Sequence, residues 1–168
     1  MDGTPASSAP VVVRDATPAD VETLAALRPP RGLHQDRVGG AGERRYVLAE
    51  VQGRPIGFGV VYFRGDPMWE RPEQVPLVMD VWVEPSLRGH GIGSRIIAAL
   101  ERAARERGFP CIYLQVEAEK NPRAISLYRK LGYQPLSRRA HKDWFHTVDE
   151  QGNVHEGEEI VLDMQKWL

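Results

Sequence analysis

A chain of 168 residues is the usual size of one domain and can bury a core without disulfide or metal staples. Apolar residues make up 42%, charged residues 27% and the formal net charge is -1, so the basic excess that marks nucleic-acid binding is missing. The single cysteine, Cys111, excludes an internal disulfide framework, and no stretch approaches the ~18 apolar residues of a membrane-spanning helix.

The first ten residues are small and polar, without the basic start and apolar centre of a secretory signal. Residues 1–10 are read as a disordered tail, residues 11–168 as a single domain, and the protein as cytoplasmic. Val11 to Val13 is a β-branched run that predicts a strand. Thr17-Pro18-Ala19-Asp20 predicts a helix start, with Thr17 as N-cap and Pro18 in the first turn. Val21, Leu24, Ala25 and Leu27 continue that helix to a stop at Pro29-Pro30. Residues 31–43, rich in glycine and charge, are compatible with a short helix flanked by loops.

Arg45 to Val51 and Ile56 to Arg64 predict a hairpin around the turn Gln52-Gly53-Arg54-Pro55. Residues 65–76 hold three prolines and predict a loop, and Leu77 to Val83 predicts a buried strand. After a Gly- and Arg-rich loop from Ser86 to Gly91 comes a strong amphipathic helix, Ile92 to Arg107. Ile92, Ile96, Ala99, Leu100 and Ala103 form its apolar face, Arg95, Arg102, Arg105 and Glu106 its outer face, and Gly108 its stop. Cys111 to Glu117 predicts a strand. Asn121-Pro122 opens a second helix carrying Ala124, Ile125, Leu127, Tyr128 and Leu131, stopped by Gly132. Tyr133 to Arg138 and Glu159 to Lys166 are the last predicted strands, separated by a turn at Gln151-Gly152-Asn153. Hairpin and crossover connections together define a mixed α/β domain.

The chemistry concentrates where the Leu77–Val83 strand feeds Arg88-Gly89-His90-Gly91-Ile92-Gly93 and then a helix. A helix N-terminus offers unpaired N–H groups and a partial positive charge, and glycines let backbone close around an anion. Arg88, Arg95 and the Ser94 hydroxyl can add donors. A P-loop needs Gly-Lys-Ser/Thr, but Gly93 is followed by Ser94-Arg95. A dinucleotide loop needs a third glycine where Ser94 stands. A glycine-rich surface turn is the plainer alternative.

The stretch Val81-Trp82-Val83-Glu84-Pro85-Ser86-Leu87-Arg88-Gly89-His90-Gly91-Ile92-Gly93 resembles the acyl-CoA signature of the GNAT superfamily, Gln/Arg-x-x-Gly-x-Gly/Ala, met by Arg88, Gly91 and Gly93. A second block, Asn121-Pro122-Arg123-Ala124-Ile125-Ser126-Leu127-Tyr128-Arg129-Lys130-Leu131-Gly132-Tyr133, is similar to the superfamily's Asn-x-x-Ala-x-x-Leu-Tyr-x-Lys-x-Gly-Phe. The resemblance implies a mostly antiparallel central sheet flanked by helices, with a splayed strand pair holding acyl-CoA. It implies an N-acetyltransferase that moves an acetyl group from acetyl-CoA to a primary amine by direct attack. The alternative is a non-catalytic acyl-CoA sensor or scaffold. The acceptor is a small molecule or a peptide, with nucleic acid and membrane not expected and a homodimer compatible with the resemblance.

Residue by residue, the resemblance gives the amides from Arg88, Gly89, His90, Gly91, Ile92, Gly93 and Ser94 to the coenzyme A pyrophosphate. Val81, Trp82 and Val83 hold the pantetheine arm by their main chain, if their strand splays from Cys111–Glu117; an N–H near Val81 or Trp82 would face the oxyanion. Asn121 reaches the arm from the other side, or caps the next helix, or both. Tyr128 donates a proton to the leaving thiolate, against the plainer reading of a core stripe residue. Asp80 is the candidate base, with acceptor binding or a structural hydrogen bond as alternatives, and Glu84, Glu117 or an ordered water as other bases. Cys111 reads as a buried apolar residue rather than a nucleophile. His34, His90, His141, His146 and His155 form no zinc pattern, so no metal is expected. Arg138 to Lys142 reads as a solvated basic run, and Trp69, Trp144 and Phe145 fall in loop-like regions.

Overall fold

The computed structural model describes residues 9–27, 43–63, 75–137, 139–148 and 153–168. Outside them lie most of the expected tail, the stop at Pro29-Pro30, the segment 31–42, nearly all of the loop at 65–76 with Trp69, Arg138, and Gln151-Gly152 of the last turn.

The strands are β1 (Val11–Asp15), β2 (Arg44–Val51), β3 (Arg54–Tyr62), β4 (Leu77–Val83), β5 (Cys111–Glu117), β6 (Gln134–Pro135), β7 (His141–Val148) and β8 (Val154–Trp167). They form one sheet in the order β1-β2-β3-β4-β5-β8-β6, with β7 also paired to β8. All pairings are antiparallel except β4 with β5, which is parallel. The helices are α1 (Val21–Leu27), α2 (Ile92–Glu106) and α3 (Pro122–Lys130). A mixed, mostly antiparallel sheet flanked by helices is the architecture the resemblance implies.

Two cores sandwich the sheet. On one face, Ile96, Ile97, Leu100, Ala103 and Ala104 of α2 pack against Val47, Val61, Val78, Ile112, Leu114 and Met164, joined by Ile125, Leu127 and Tyr128 of α3. On the other, Val21 and Leu24 of α1 pack on Tyr46, Leu48, Phe58 and Val60. Alternation along β2 and β3 therefore feeds both faces with apolar side chains, as strands covered on both sides require. α2 approaches β3 closely because two positions there lack side chains. A Cβ at Gly59 would lie 2.6 Å from Ile96 Cγ2, and one at Gly57 2.8 Å from the Trp82 carbonyl oxygen.

At the start of the first helix Thr17 is the N-cap and Pro18 lies in the first turn, as expected. Its opening turn, Pro18–Asp20, is a 3-10 turn. Thr17 and Asp20 form a capping box, in which the Asp20 carboxylate accepts from the Thr17 amide at 2.8 Å and also from the Thr17 hydroxyl at 3.0 Å. Arg14 then clamps this corner, donating to both Asp20 oxygens at 2.9 and 2.8 Å and to Glu50 at 3.1 and 2.7 Å. The Arg14 hydrogen bonds, aided by Thr17, hold the Asp20 carboxyl well below the usual carboxylate range despite its partial burial. The folded state thus binds fewer protons here than the unfolded chain. The stability this contributes is present above the ordinary Asp pKa of about 4 and is lost as pH falls through and below it. Urea midpoints at pH 6 and pH 3 are expected to show that loss, and Arg14→Gln is expected to flatten it. An undiminished pH dependence in the variant contradicts the clamp.

Two corrections concern the C-terminal third. The strand expected over Tyr133 to Arg138 is only the two residues Gln134–Pro135, because Pro135 lacks an amide and Tyr133 is instead buried in the core. The segment read as a solvated basic run with loop aromatics contains β7. Its partner β8 is far longer than Glu159 to Lys166, at 14 residues, and pairs with β7 from His141↔Val161 to Val148↔Val154. Charged and polar side chains on this hairpin hide the apolar alternation a strand normally shows. Among the described residues no helix is long and apolar enough to cross a membrane.

Candidate active site at the splayed strands

The parallel ladder between β4 and β5 consists of only two residue pairs, Leu77↔Tyr113 and Val78↔Leu114. Beyond Val78 the strands part, leaving Met79 to Val83 outside that ladder. A bulge in β4 drives the separation. The β3–β4 register passes from Phe58↔Trp82 to Val60↔Met79, so Asp80 and Val81 share the single partner Gly59. Asp80 takes a left-handed backbone conformation with φ of 47°, rare for a residue with a Cβ and characteristic of sites that hold strain. The Trp82 ring stacks on Phe58, 6.1 Å between centroids, fixing β4 on the α1 face.

From the end of β4 the chain turns into the loop. The Glu84 amide donates to the Ile56 carbonyl at 2.9 Å, and a 3-10 turn follows at Pro85–Leu87. Arg88 Nε donates to the Val83 carbonyl at 2.9 Å, so this guanidinium ties the loop back to β4. His90 Nδ1 lies 3.2 Å from the Leu87 carbonyl and 3.1 Å from that of Arg88, which places the proton on Nδ1 and closes the loop on itself. Gly89 and Gly91 have φ of 83° and 78°, and a Cβ built on either meets nothing within 4 Å. Their requirement is backbone shape, and the space beside them is open to a ligand. Gly91 is the N-cap of α2, and the Arg95 amide returns to its carbonyl at 3.1 Å. The amides of Ile92, Gly93 and Ser94 therefore head a 15-residue helix at its positive end.

α3 supplies the other wall. Asn121 is its N-cap, yet its side chain makes no capping hydrogen bond and is exposed. The main chain does the capping work instead, with the Ala124 and Ile125 amides on the Asn121 carbonyl at 3.1 and 3.2 Å. Tyr128 is partly buried against the core, edge-on to Tyr133 at 5.8 Å between centroids. Burial raises its phenol above the ordinary value, so it stays protonated at neutral pH. The stripe reading of Tyr128 and its reading as a proton donor are thus both compatible with one position.

All three candidate carboxylates have interaction partners. Glu84 pairs with Arg54 at 2.8 Å and accepts from Ser86 at 3.0 Å, while Glu117 pairs with Lys120 at 2.6 Å. Asp80 alone of the three lies within the bulge that opens the strands. Cys111 is buried at the start of β5, as expected of a small apolar residue. The structure also assembles residues that sequence reasoning passed over. Tyr113, itself buried, and half-buried Gln115 alternate with Ile112, Leu114 and Val116 on β5, and both donate to Asp163 of β8. The polar alternation was the only signal, because the partners lie 50 and 48 residues apart.

A mixed, mostly antiparallel sheet flanked by helices and parted beside a glycine-shaped helix N-terminus is the fold this chain shares with solved N-acetyltransferases. The Acetyltransferase (GNAT) family matches residues 13–133, from within β1 to just past α3, and the chain belongs to that family. It is 32% identical over 112 residues to thialysine N-epsilon-acetyltransferase of Bos taurus, covering 60% of this chain and 64% of that protein. Among solved structures it is similar to ribosomal-protein-alanine N-acetyltransferase from Brucella melitensis, with TM-score 0.65, 24% identity, and coverage of 94% of this chain and 99% of that one. It is also similar to Arabidopsis thaliana NAA60 in complex with acetyl-CoA, with TM-score 0.66, 17% identity, and coverage of 95% and 99%. The matches to the curated relatives span 45%, 64% and 37% of the lengths of three of them.

Proposed function

We propose that this protein transfers the acetyl group of acetyl-CoA to an amine. The observation that carries the reading is the opening of β4 from β5 directly before a glycine-shaped loop at the head of α2. The opening suits an extended pantetheine arm, which can pair with the exposed β4 backbone as a missing strand would. The amides from Arg88 to Ser94 suit a pyrophosphate, which the α2 dipole favours. Asn121, with its carboxamide uncommitted to capping, supports a contact to the arm from the α3 side.

In the reaction the amine nitrogen bonds to the thioester carbonyl carbon, the carbon–sulfur bond breaks, and coenzyme A leaves as a thiolate. An amine acceptor arrives as ammonium and must shed a proton; Asp80, at the bulge, is the acceptor of that proton directly or through water. A main-chain N–H near Val81 or Trp82 faces the tetrahedral oxyanion. Tyr128, kept protonated by burial, gives a proton to the sulfur, and the second nitrogen proton, shed as the tetrahedral intermediate collapses to the amide, restores the phenol directly or through water. The non-catalytic sensor reading uses the same loop but gives no role to Asp80 and Tyr128.

Thiol release from acetyl-CoA, followed with a panel of alkylamines, amino acids, aminoglycosides and N-terminal peptides, tests the reading. Turnover with at least one amine is expected; acetyl-CoA binding without turnover across the panel favours the sensor. Tyr128→Phe is expected to lower kcat by about 10- to 100-fold, the low end for a general acid because a thiolate is already a stable leaving group. KM for acetyl-CoA should stay within about threefold, since the hydroxyl acts only in the transition state. Unchanged kcat removes Tyr128 from the mechanism.

A further inference from the structure

α3 ends in a chain reversal that brings an aromatic residue back against the proposed proton donor. Gly132 takes φ of 94° just past the helix. Its amide donates to the Arg129 carbonyl at 3.0 Å, and the Tyr133 amide donates to the Tyr128 carbonyl at 3.0 Å. Two such bonds are the Schellman closure of a helix, which brings a residue of the last turn beside the second residue past the end. Here those two are Tyr128 and Tyr133, whose rings meet edge to face, 5.8 Å between centroids and 63° between planes. Main chain and rings thus fix the same pair.

Tyr133 itself has little room to move. It is 1% exposed and is among the largest fully buried side chains. Lys166 of β8 stands 5.7 Å from its ring centroid and is held by both oxygens of Glu101 of α2, at 3.0 and 2.9 Å. The ring is therefore a fixed body between α2, β8 and the end of α3. Tyr128, by contrast, is only partly buried, on a helix of nine residues. A partly buried phenol keeps one staggered rotamer only where a neighbour blocks the others. Proton transfer tolerates little drift, since a misplacement of about 1 Å can cost about 100-fold. Resting on the reading of Tyr128 as proton donor, we propose that Tyr133 is a positioning residue, whose ring sets the Tyr128 phenol for transfer to the leaving sulfur. Tyr133 is shut away from solvent and acts only through Tyr128.

Thiol release from acetyl-CoA, with the fastest amine of the panel, tests this in a double-mutant cycle. Tyr133→Leu is expected to lower kcat about tenfold and to leave KM for acetyl-CoA within about threefold, because the loss falls on proton transfer rather than on binding. Tyr133→Phe keeps the ring and is expected to hold kcat within about twofold of the native protein. In the Tyr128→Phe background Tyr133→Leu should cost less than about twofold, since no phenol is left to position. Equal losses in both backgrounds mark a general structural role and overturn the proposal. Native kcat in Tyr133→Leu overturns it too, as does a Tyr133→Phe variant as slow as Tyr133→Leu. Should Tyr133→Leu lose its cooperative melt, Tyr133→Met, which fills the space without a ring, takes its place with the same outcomes. The two readings fail separately. A slow Tyr128→Phe beside an unimpaired Tyr133→Leu sinks the positioning and upholds the donor. Native kcat in Tyr128→Phe sinks the donor and the positioning with it, and no turnover by the native protein sinks the transferase reading as a whole.

Discussion

Gly91→Val is expected to weaken acetyl-CoA binding by at least about 100-fold while leaving the fold intact. Gly91 sits at φ of 78°, where a β-branched residue is strained, so the variant must turn its peptide and redirect the amides that follow. Two misdirected charge-assisted hydrogen bonds at about 1.5–3 kcal/mol each amount to roughly 3–6 kcal/mol, and about 1.4 kcal/mol is tenfold in affinity. The surroundings make the test clean. A Cβ at Gly91 meets no atom within 4 Å, so no core contact is disturbed and melting should move by only a few degrees. Isothermal titration alongside a thermal melt measures both quantities. Retained affinity would show that the loop does not hold the pyrophosphate. Gly59→Val is a contrasting change, because it would drive into Ile96 and Leu100 and damage the fold itself.

Lys166→Met is expected to destabilise the protein by about 3 kcal/mol, one of the largest losses available outside the site. α2 carries an acidic residue on its buried face, Glu101, only 4% exposed. Lys166 of β8 reaches both of its oxygens, at 3.0 and 2.9 Å, and lies 5.7 Å from the centroid of the Tyr133 ring. Arg105 is more distant, at 3.8 Å, and half exposed. Removing the lysine leaves a buried carboxylate beside the Tyr133 phenol, which burial and then Glu101 itself already push well above its ordinary range. Chemical denaturation reads the loss directly, and for a chain of this length it corresponds to a fall in Tm of about 6–12 °C. Adding Glu101→Leu should recover most of it, since the penalty belongs to the orphaned charge rather than to the missing bond. A double variant no more stable than Lys166→Met would contradict that account.

Where sequence and structure agree, the reason is local physics. The α2 face of Ile92, Ile96, Ala99, Leu100 and Ala103 is buried as its spacing requires, because a 15-residue helix averages out single exceptions. The bounds of β4 and β5 match residue for residue, since both are apolar runs ended by turn-forming residues. Glu101 shows the limit. It lies among the charged residues of α2, and the approach of Lys166 from 65 residues away makes its burial tolerable. β7 was missed for a related reason, since its ladder with β8 needs no apolar face to be satisfied. At the site, the glycine loop and both helix starts were legible because each has a local signature. The bulge at Asp80 and Val81 was not, since it arises from register against Gly59. Asp163 was not, since nothing within its own strand marks it apart from other alternating polar residues.

In the proposed function the loop heading α2 grips the pyrophosphate while the parted strands take the pantetheine arm. Isothermal titration of the native protein with acetyl-CoA, set against S-acetylpantetheine, tests it most directly, because the second ligand keeps the arm and lacks the pyrophosphate. Saturable one-to-one binding of acetyl-CoA is expected, with an affinity at least about 100-fold lower for S-acetylpantetheine. Equal affinity for the two, or no binding of acetyl-CoA, would contradict it.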